Sequence, residues 1–228
     1  YLALLPFYHA YGSFGLLVTL ASGGTVMPVK RFVPAAVLDS ARSFAPTLLL
    51  TTPQMVNALG RCHLKPGQEG VFASVQHALC GAASLAEEDH TRFRERFGLA
   101  IKIQYGSTET LSVSVIRDGS YASGRVGHPY PGVELAIFDE AGRRLPPLQT
   151  GRVGVRGPAC CSGYGADGSE PLDQIDGFVL PGDMGFLDAH GELNLAGRDG
   201  IINIGGYKVS PPEIEGLIAG AFVTSYVK

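Results

Sequence analysis

The chain has 228 residues, of which 45% are hydrophobic and 17% are charged, and its formal net charge is −3. This composition is typical of a folded globular protein and excludes the disordered classes. The small negative charge offers no general attraction to nucleic acid or to an anionic membrane, so any phosphate group must be recognised locally.

The distribution of apolar residues and cysteines excludes further classes of protein. Residues Phe14 to Ala21 are interrupted by glycine and threonine and fall far short of the roughly 20 residues that span a membrane, so we expect a core segment. The chain begins with tyrosine and carries no secretion signal, which indicates a missing start. The four cysteines lack metal-binding spacings, so we expect free thiols, no sulfur-based metal site and a cytoplasmic location.

Residues 34–123 alternate between helical and strand patterns, as in a sheet covered by helices. The predicted helices are 34–44, 53–60 and one ending at Phe97; the predicted strands are 47–52, 75–80 and 101–104. Ser84 and Glu87 match a capping box before the third helix, and Gly98 matches its C-terminal cap. Residues after 104 should therefore lie beyond the carboxyl end of a strand, where open α/β sheets bind ligands.

From Gly124 onward, short β-rich runs alternate with glycine, proline and aspartate, which predicts a small barrel or sandwich. The predicted strands are 133–139, 152–156, 178–180 and 192–196. Residues 201–210 predict two short strands around Gly205 and Gly206. Pro212 suits the first turn of a following helix, so a new domain should begin near here.

The segment Gln104-Tyr105-Gly106-Ser107-Thr108-Glu109-Thr110 combines groups that suit a nucleotide and its metal. A ring can stack on a base, a glycine permits close backbone approach, and hydroxyls donate to phosphate oxygens. A carboxylate is a hard ligand that suits Mg²⁺. A polar loop after a strand is the alternative interpretation of the segment alone.

Other motifs accompany this segment in a fixed order. They are Pro6 to Gly12, Gly81 to Leu85, Tyr105 to Glu109, Gly151 to Gly157, Ser162 to Tyr164, Gly182-Asp183, Gly197 to Asp199 and Gly205 to Glu215. In this order the chain resembles, nearly end to end, the adenylate-forming superfamily, which includes acyl-CoA and aryl-CoA ligases, luciferases and the adenylation domains of peptide synthetases.

The resemblance implies an α/β fold with three parts. They are a helix-covered mixed sheet that binds nucleotide and acyl group (1–123), a small distorted β-barrel subdomain (124–198), and a hinge with the beginning of a mobile C-terminal α+β domain (199–228). Two segments that the resemblance leads us to expect are not in this sequence: a phosphate loop with a lysine, upstream of Tyr1, and a lysine-bearing C-terminal segment, downstream of Lys228. We therefore expect the chain to be a fragment of a larger enzyme. An abrupt change of pattern near Gly220 suggests missing residues there.

The implied reaction joins a carboxylic acid to the α-phosphorus of ATP, releases pyrophosphate and then transfers the acyl group to CoA. The resemblance assigns phosphate contact to Thr108 and Mg²⁺ binding to Glu109. Adenine and the rest of the nucleotide are assigned to Gly81, Ala82, Ala83, Gln104, Tyr105 and Gly106, and ribose or phosphate oxygens to Asp183 and Arg198. Pro181 replaces the family's usual threonine or serine, which predicts weaker nucleotide binding.

The acid is expected in a pocket formed by Tyr8, His9, Tyr11 and Gly12, with His9 counted among the catalytic residues. A packed core histidine is the alternative for His9. No aspartate lies between Leu2 and Leu20 to bind an amino group, which favours an uncharged fatty or aryl acid. Asp199 and Gly200 occupy the family's hinge position, although this segment is one residue short. Lys208 is expected to face solvent rather than to act in catalysis.

Three alternatives remain open at this point. The acyl-adenylate could be transferred to a carrier protein, it could enter a luciferase-like oxidation, or the chain could be a nucleotide-binding module without catalytic activity. The acid itself and the oligomeric state are not determined by these motifs.

Overall fold

The computed structural model describes residues 1–165 and 167–198, and the backbone of two strands at 202–204 and 207–209. The helices are α1 (Ala10–Ala21), α2 (Pro34–Phe44), α3 (Pro53–Arg61) and α4 (Glu87–Phe97). The strands are β1 (Leu2–Ala3), β2 (Met27–Pro28), β3 (Leu48–Thr51), β4 (His77–Cys80), β5 (Lys102–Ser107), β6 (Leu111–Val115), β7 (Arg125–Pro129), β8 (Glu134–Phe138), β9 (Gly151–Arg156), β10 (Gln174–Ile175), β11 (Phe178–Val179), β12 (Asp183–Leu187), β13 (Leu193–Arg198), β14 (Ile202–Ile204) and β15 (Tyr207–Val209).

The longer sheet runs in the order β10-β11-β9-β12-β13-β7-β6-β5-β4-β3-β1-β2, with β8 paired to β9. Strands β1 to β5 pair in parallel, and β6 joins β5 in the antiparallel sense. From β7 to β13 all described pairings are antiparallel. This mixed sheet with helices confirms the predicted α/β class, whereas closure of 124–198 into a barrel and the three domain boundaries stay predictions.

The helices begin and end where local chemistry favours it. Pro34 and Pro53 occupy the first turn of α2 and α3, where a missing N–H is not needed. Helix α4 carries three acidic residues in its first turn and two arginines in its last, which complement the helix dipole. Gly98 caps α4 with a left-handed φ of 64°, as predicted. The capping-box prediction is wrong, because α4 begins after Ala86 without a side-chain cap.

The two faces of the parallel strands are covered differently. One face packs with α2, α3 and α4 into the main core, which contains Leu38, Leu49, Val56, Phe72 and Phe93. Helix α1 contributes little to this core and lies over the opposite face, where Leu50 packs with Tyr1 and Phe14. The sheet is therefore fully covered on one side only within the described residues.

Helix α1 corrects the expectation that Phe14 to Ala21 is a core segment. Its buried residues are Gly12, Gly15 and Thr19, whereas Leu17 is 62% exposed and Leu20 is 56% exposed. The small residues allow the helix to approach the sheet closely, since a Cβ on Gly15 would lie 2.5 Å from Leu50 Cδ1. Leu17, Val18 and Leu20 are therefore exposed, whereas Phe14 packs against the sheet.

Strand β5 is longer than predicted and changes the position of the 104–110 segment. The strand continues to Ser107 and turns directly into β6, so most of the segment forms a hairpin rather than a loop beyond a strand. A register shift between Tyr105 and Gly106 brings the backbones together, and a Cβ on Gly106 would overlap the carbonyl oxygen of Leu111. Only glycine fits at this bulge.

Two further properties concern the whole described chain. The four cysteines are free thiols. Within residues 1–165 and 167–198, none of the helices has the length and hydrophobicity that crossing a bilayer would require.

Candidate functional site

Tyr105 links the β5–β6 hairpin to a strand 78 residues later. Its ring is buried near the end of β5, and its hydroxyl donates a hydrogen bond of 2.7 Å to Asp183 Oδ2. Burial raises the pKa of the Tyr105 phenol well above its usual range, and the Asp183 carboxylate raises it further. Tyr105 is therefore a neutral donor at physiological pH.

Asp183 and Arg198 face each other across two strands. Asp183 is the first residue of β12, Arg198 is the last of β13, and the two are register partners. Arg198 Nε lies 3.8 Å from Asp183 Oδ1, while Nη2 donates to the carbonyl oxygen of Pro181 at 2.8 Å. The structure thus brings together Tyr105, Asp183 and Arg198, three residues that the sequence assigned to nucleotide binding.

Glu109 is held from the loop that follows β9. Tyr164 donates from its hydroxyl to Glu109 Oε1 at 2.9 Å, and the Cys161 N–H donates to the Glu109 carbonyl oxygen at 2.8 Å. Burial opposes ionisation of Glu109, but hydrogen bonds from Ser107, the Glu109 backbone and Tyr164, together with nearby Arg198, lower the carboxyl pKa overall. The side chain is therefore an ionised, partly exposed carboxylate at neutral pH.

Tyr164 and Cys161 were not predicted to contact Glu109. Tyr164 belongs to the Ser162-Gly163-Tyr164 motif, one of the ordered motifs that carry the family resemblance. Membership of this motif is the sequence signal that could have identified Tyr164 as a site residue. Tyr164 and Glu109 are 55 residues apart in the sequence, and their contact depends on how the loop after β9 folds back over the hairpin. The contact could therefore not be predicted from the sequence.

The hydroxyls of the hairpin turn have different roles. Thr110 is buried, and its Oγ1 bonds to the backbone N–H of Ser107 at 3.3 Å and to the Ser107 hydroxyl at 3.0 Å. Thr108 lies exposed between them, and its side chain forms no hydrogen bond with any residue that the structure describes. The turn is thus stabilised internally and leaves the Thr108 hydroxyl available to a ligand.

Gly81, just after β4, meets helix α1 and strand β5 at one point. A Cβ at this position would lie 3.1 Å from the Gln104 carbonyl oxygen and 3.3 Å from the Tyr11 ring. Ala82 follows with a left-handed φ of 71°, and Ala83 is partly buried. A small residue is therefore required at Gly81, where the backbone passes close to the Tyr11 ring.

Two residues that contact Gly81 carry buried side-chain polar atoms without partners in the described part of the chain. The Tyr11 hydroxyl and Gln104 Oε1 are both buried without a hydrogen bond, although Gln104 Nε2 donates to Ser112 Oγ. Buried polar groups normally find a partner, so a water or a ligand group is the expected one here. Burial, and then Cys80, Tyr1 and Tyr130, keep the pKa of Tyr11 well above its usual range, so its hydroxyl is a neutral donor.

His9 and Tyr8 lie on the surface before α1. Tyr8 is 88% exposed and His9 is exposed too, with their ring centroids 5.7 Å apart. His9 is therefore not a packed core histidine. Gly12, in contrast, is buried under the Pro6 carbonyl oxygen, which a Cβ would overlap. Of the predicted acid pocket, the structure brings Tyr11 and Gly12 into the interior, and the roles of Tyr8 and His9 stay predictions.

Several predictions lie outside the described residues. These are the hinge at Asp199 and Gly200, the side chain of Lys208, the helix from Pro212 and the suspected gap near Gly220. The two strands predicted around Gly205 and Gly206 are present as β14 and β15, which pair with each other in antiparallel register.

The Glu109 carboxylate suits Mg²⁺ in one specific way. No group of three or more metal-binding side chains occurs among residues 1–165 and 167–198. Mg²⁺ in nucleotide sites is commonly held by one or two carboxylates together with the phosphates, rather than by a cage of protein ligands. A single ionised, partly exposed carboxylate therefore fits a metal that arrives with its nucleotide.

Comparison with known proteins assigns the family. Residues 1–165 match the AMP-binding enzyme family. The chain belongs to this family. The match contains the hairpin with Tyr105 and Glu109, Gly81 and its neighbours, and Tyr164.

Relatives and solved structures agree with this assignment. The chain is 29% identical to a long-chain-fatty-acid–CoA ligase of Bacillus subtilis (94% of this chain, 39% of that protein) and 32% identical to the rice 4-coumarate–CoA ligase-like 6 (94% and 37%). ATP-bound MatB from Rhodopseudomonas palustris superposes with a TM-score of 0.76 at 29% identity (95% and 44%). The chain therefore spans about two fifths of the length of these relatives.

Proposed function

We propose that the complete protein activates a carboxylic acid with ATP, forming an acyl-adenylate and pyrophosphate, and then transfers the acyl group to CoA. The observation that carries this proposal is the convergence of Tyr105, Glu109, Asp183 and Arg198 in a chain of the AMP-binding family. These residues come from two strand pairs that are distant in sequence, so their proximity is a property of the fold.

Each group has a role that its chemistry supports. Asp183 can accept hydrogen bonds from ribose hydroxyls, and Arg198 offers a rigid set of donors for ribose or phosphate oxygens. The exposed Thr108 hydroxyl can donate to a phosphate oxygen. Glu109 would hold Mg²⁺, which when bound supplies positive charge against the phosphates. Tyr105 holds Asp183 in place and can present the remaining ring face to adenine.

The acid is expected beside Gly81, which the Tyr11 ring contacts and near which the buried Tyr11 hydroxyl has no partner among the described residues. The small residues at 81–83 leave room for a carboxylate to approach the nucleotide. CoA as the acyl acceptor is supported by relatives that are named CoA ligases. Adding CoA, a holo-carrier protein or oxygen to the preformed adenylate, and identifying the product, would distinguish this acceptor from the others.

ATP–pyrophosphate exchange tests the first half-reaction. Glu109→Ala in the complete gene product should lower the exchange rate by roughly 10²- to 10³-fold, because it removes a preorganised charge-stabilising group. Glu140→Ala is a matched control, since Glu140 is an exposed carboxylate in the turn after β8. An unchanged rate in Glu109→Ala would contradict the assignment, and no exchange by the wild type with a broad panel of acids would favour a binding module.

A further inference from the structure

A cavity of about 620 Å³ lies between helix α1 and the sheet face that the main core leaves uncovered. Its floor is formed by Leu48, Leu50, Leu79 and Val115, and Phe14 lines its α1 side. This volume falls within the range of small-molecule sites, which are largely apolar with a few polar groups. The cavity thus has the size and character of a site for the body of an organic molecule.

The cavity adjoins the expected acid site. Along α1 it begins at Phe14 and Gly15, about one turn beyond Tyr11, and along β4 it includes Leu79, two residues before Gly81. Tyr1 lines it as well, and the Tyr1 hydroxyl is buried without a hydrogen bond to any described residue. An acid whose carboxylate reached Gly81 would therefore extend into this cavity.

Two cations line the cavity where it opens to solvent, since Lys102 is half-buried and Arg117 is exposed. Lys102 begins β5, and Arg117 follows β6. The pairing of Gln104 with Val115, continued by the hydrogen bond from Ile116 N–H to the Ile103 carbonyl oxygen, places Lys102 directly opposite Arg117. Directly opposite residues on antiparallel strands have Cβ atoms about 5 Å apart, and like charges there repel.

Nothing in the described chain neutralises this pair. Neither Lys102 nor Arg117 forms an ion pair or a side-chain hydrogen bond with a residue in 1–165 or 167–198. None of the residues that line the cavity is acidic. An apolar cavity with two adjacent cations and no carboxylate is complementary to an anion on an apolar molecule.

We propose that the cavity binds a dicarboxylic acid, with one carboxylate at Gly81 for activation and the other between Lys102 and Arg117. This inference rests on the proposed function for the end that is activated. Lys102 is the register partner of Leu79, which lies two residues before Gly81. The two carboxylate positions are therefore two residues, or roughly 7 Å, apart along the strand direction. The site would therefore select an acid with a medium-length apolar body and a second carboxylate. This proposal differs from the sequence-based expectation of an uncharged fatty or aryl acid.

Calorimetric titration of the complete gene product with suberate and octanoate, without ATP, tests the cavity directly. The two acids have the same carbon chain and differ in the second carboxylate. Suberate should bind at least tenfold more tightly, because octanoate can occupy only one carboxylate position at a time, and Lys102→Met and Arg117→Met should each remove at least tenfold of the suberate affinity. Lys102→Arg should retain suberate binding, and Lys30→Met, an exposed lysine outside the cavity, should change the affinity for neither acid.

The outcomes separate this inference from the proposed function. Equal binding of octanoate and suberate, or suberate binding unchanged in both methionine variants, overturns the dicarboxylate site. Thermal unfolding of each variant identifies a folding defect. If a methionine variant is unfolded, the suberate affinity of Lys102→Arg decides, and its loss in a folded protein overturns the dicarboxylate site. Selective suberate binding that supports no ATP–pyrophosphate exchange with any acid supports the dicarboxylate site and overturns the proposed function instead.

Discussion

Tyr164 shows how a single side chain can orient the carboxylate that we propose as the Mg²⁺ ligand. Its hydroxyl donates to Glu109 Oε1, and this bond limits rotation of the Glu109 side chain. A hydrogen bond of this type contributes about 1 kcal/mol, or roughly a fivefold change in an equilibrium constant. The contact would therefore tune metal affinity rather than create it.

Tyr164→Phe should raise the Mg²⁺ concentration at half-maximal ATP–pyrophosphate exchange by roughly three- to tenfold, because the carboxylate loses one hydrogen bond and some of its orientation. The exchange rate at saturating Mg²⁺ should stay within about twofold of wild type. Tyr121→Phe is the matched control, since the Tyr121 hydroxyl donates to the Leu85 carbonyl oxygen instead. An unchanged Mg²⁺ requirement in Tyr164→Phe would refute this positioning role.

Residue identities in the site could be predicted more fully than their contacts. Tyr105, Asp183 and Arg198 were assigned to nucleotide binding through motif order alone. The hydrogen bond from Tyr105 to Asp183 could not be predicted, because it depends on the positions of two strands that are not adjacent in the sheet. The exposure of His9 was also beyond prediction, since an aromatic neighbourhood in sequence is compatible with a core or a surface position.

At the scale of elements, proline positions and apolar spacing predicted helix bounds well, whereas the capping box and the burial of apolar side chains were misjudged. Helix α2 has the predicted bounds because proline and the apolar spacing both act within the helix. Helix α1 was misjudged, because hydrophobicity suggested burial of its large side chains. The helix instead buries glycine and threonine against the sheet, so the close approach of two backbones decided which face turned inward.

This close approach makes Gly15 a sensitive position. Gly15→Ala would place a methyl group 2.5 Å from Leu50 Cδ1 and 2.8 Å from the Tyr1 ring, which should destabilise the fold by about 1–3 kcal/mol through overpacking. Urea unfolding of the complete gene product measures the loss. Gly60→Ala in α3 is the control, because its nearest atoms would lie 3.5 Å away and alanine favours a helix, so stability should stay or rise. Equal effects of the two substitutions would contradict the packing of α1.

At the scale of the whole molecule, the candidate site joins strands from the two regions that the sequence separated at residue 124. Tyr105 and Glu109 belong to the first region, and Asp183, Arg198 and Tyr164 belong to the second. The continuous strand path through β6, β7 and β13 connects the two regions by backbone hydrogen bonds. A nucleotide that contacts both groups would therefore stabilise the two regions together.

Hydrogen–deuterium exchange of the complete gene product with and without AMP tests this coupling. A ligand that binds only the folded site stabilises it by mass action, by about 2.7 kcal/mol at a concentration of 100 Kd. Amides at 104–110 and at 182–185 should therefore gain protection at the same AMP concentration, because Tyr105 and Asp183 are held by one hydrogen bond. Helix α2, which contributes no residue to the candidate site, should change little. Protection of one strand segment without the other would mean that the nucleotide binds one region alone and that the Tyr105–Asp183 contact does not carry the coupling.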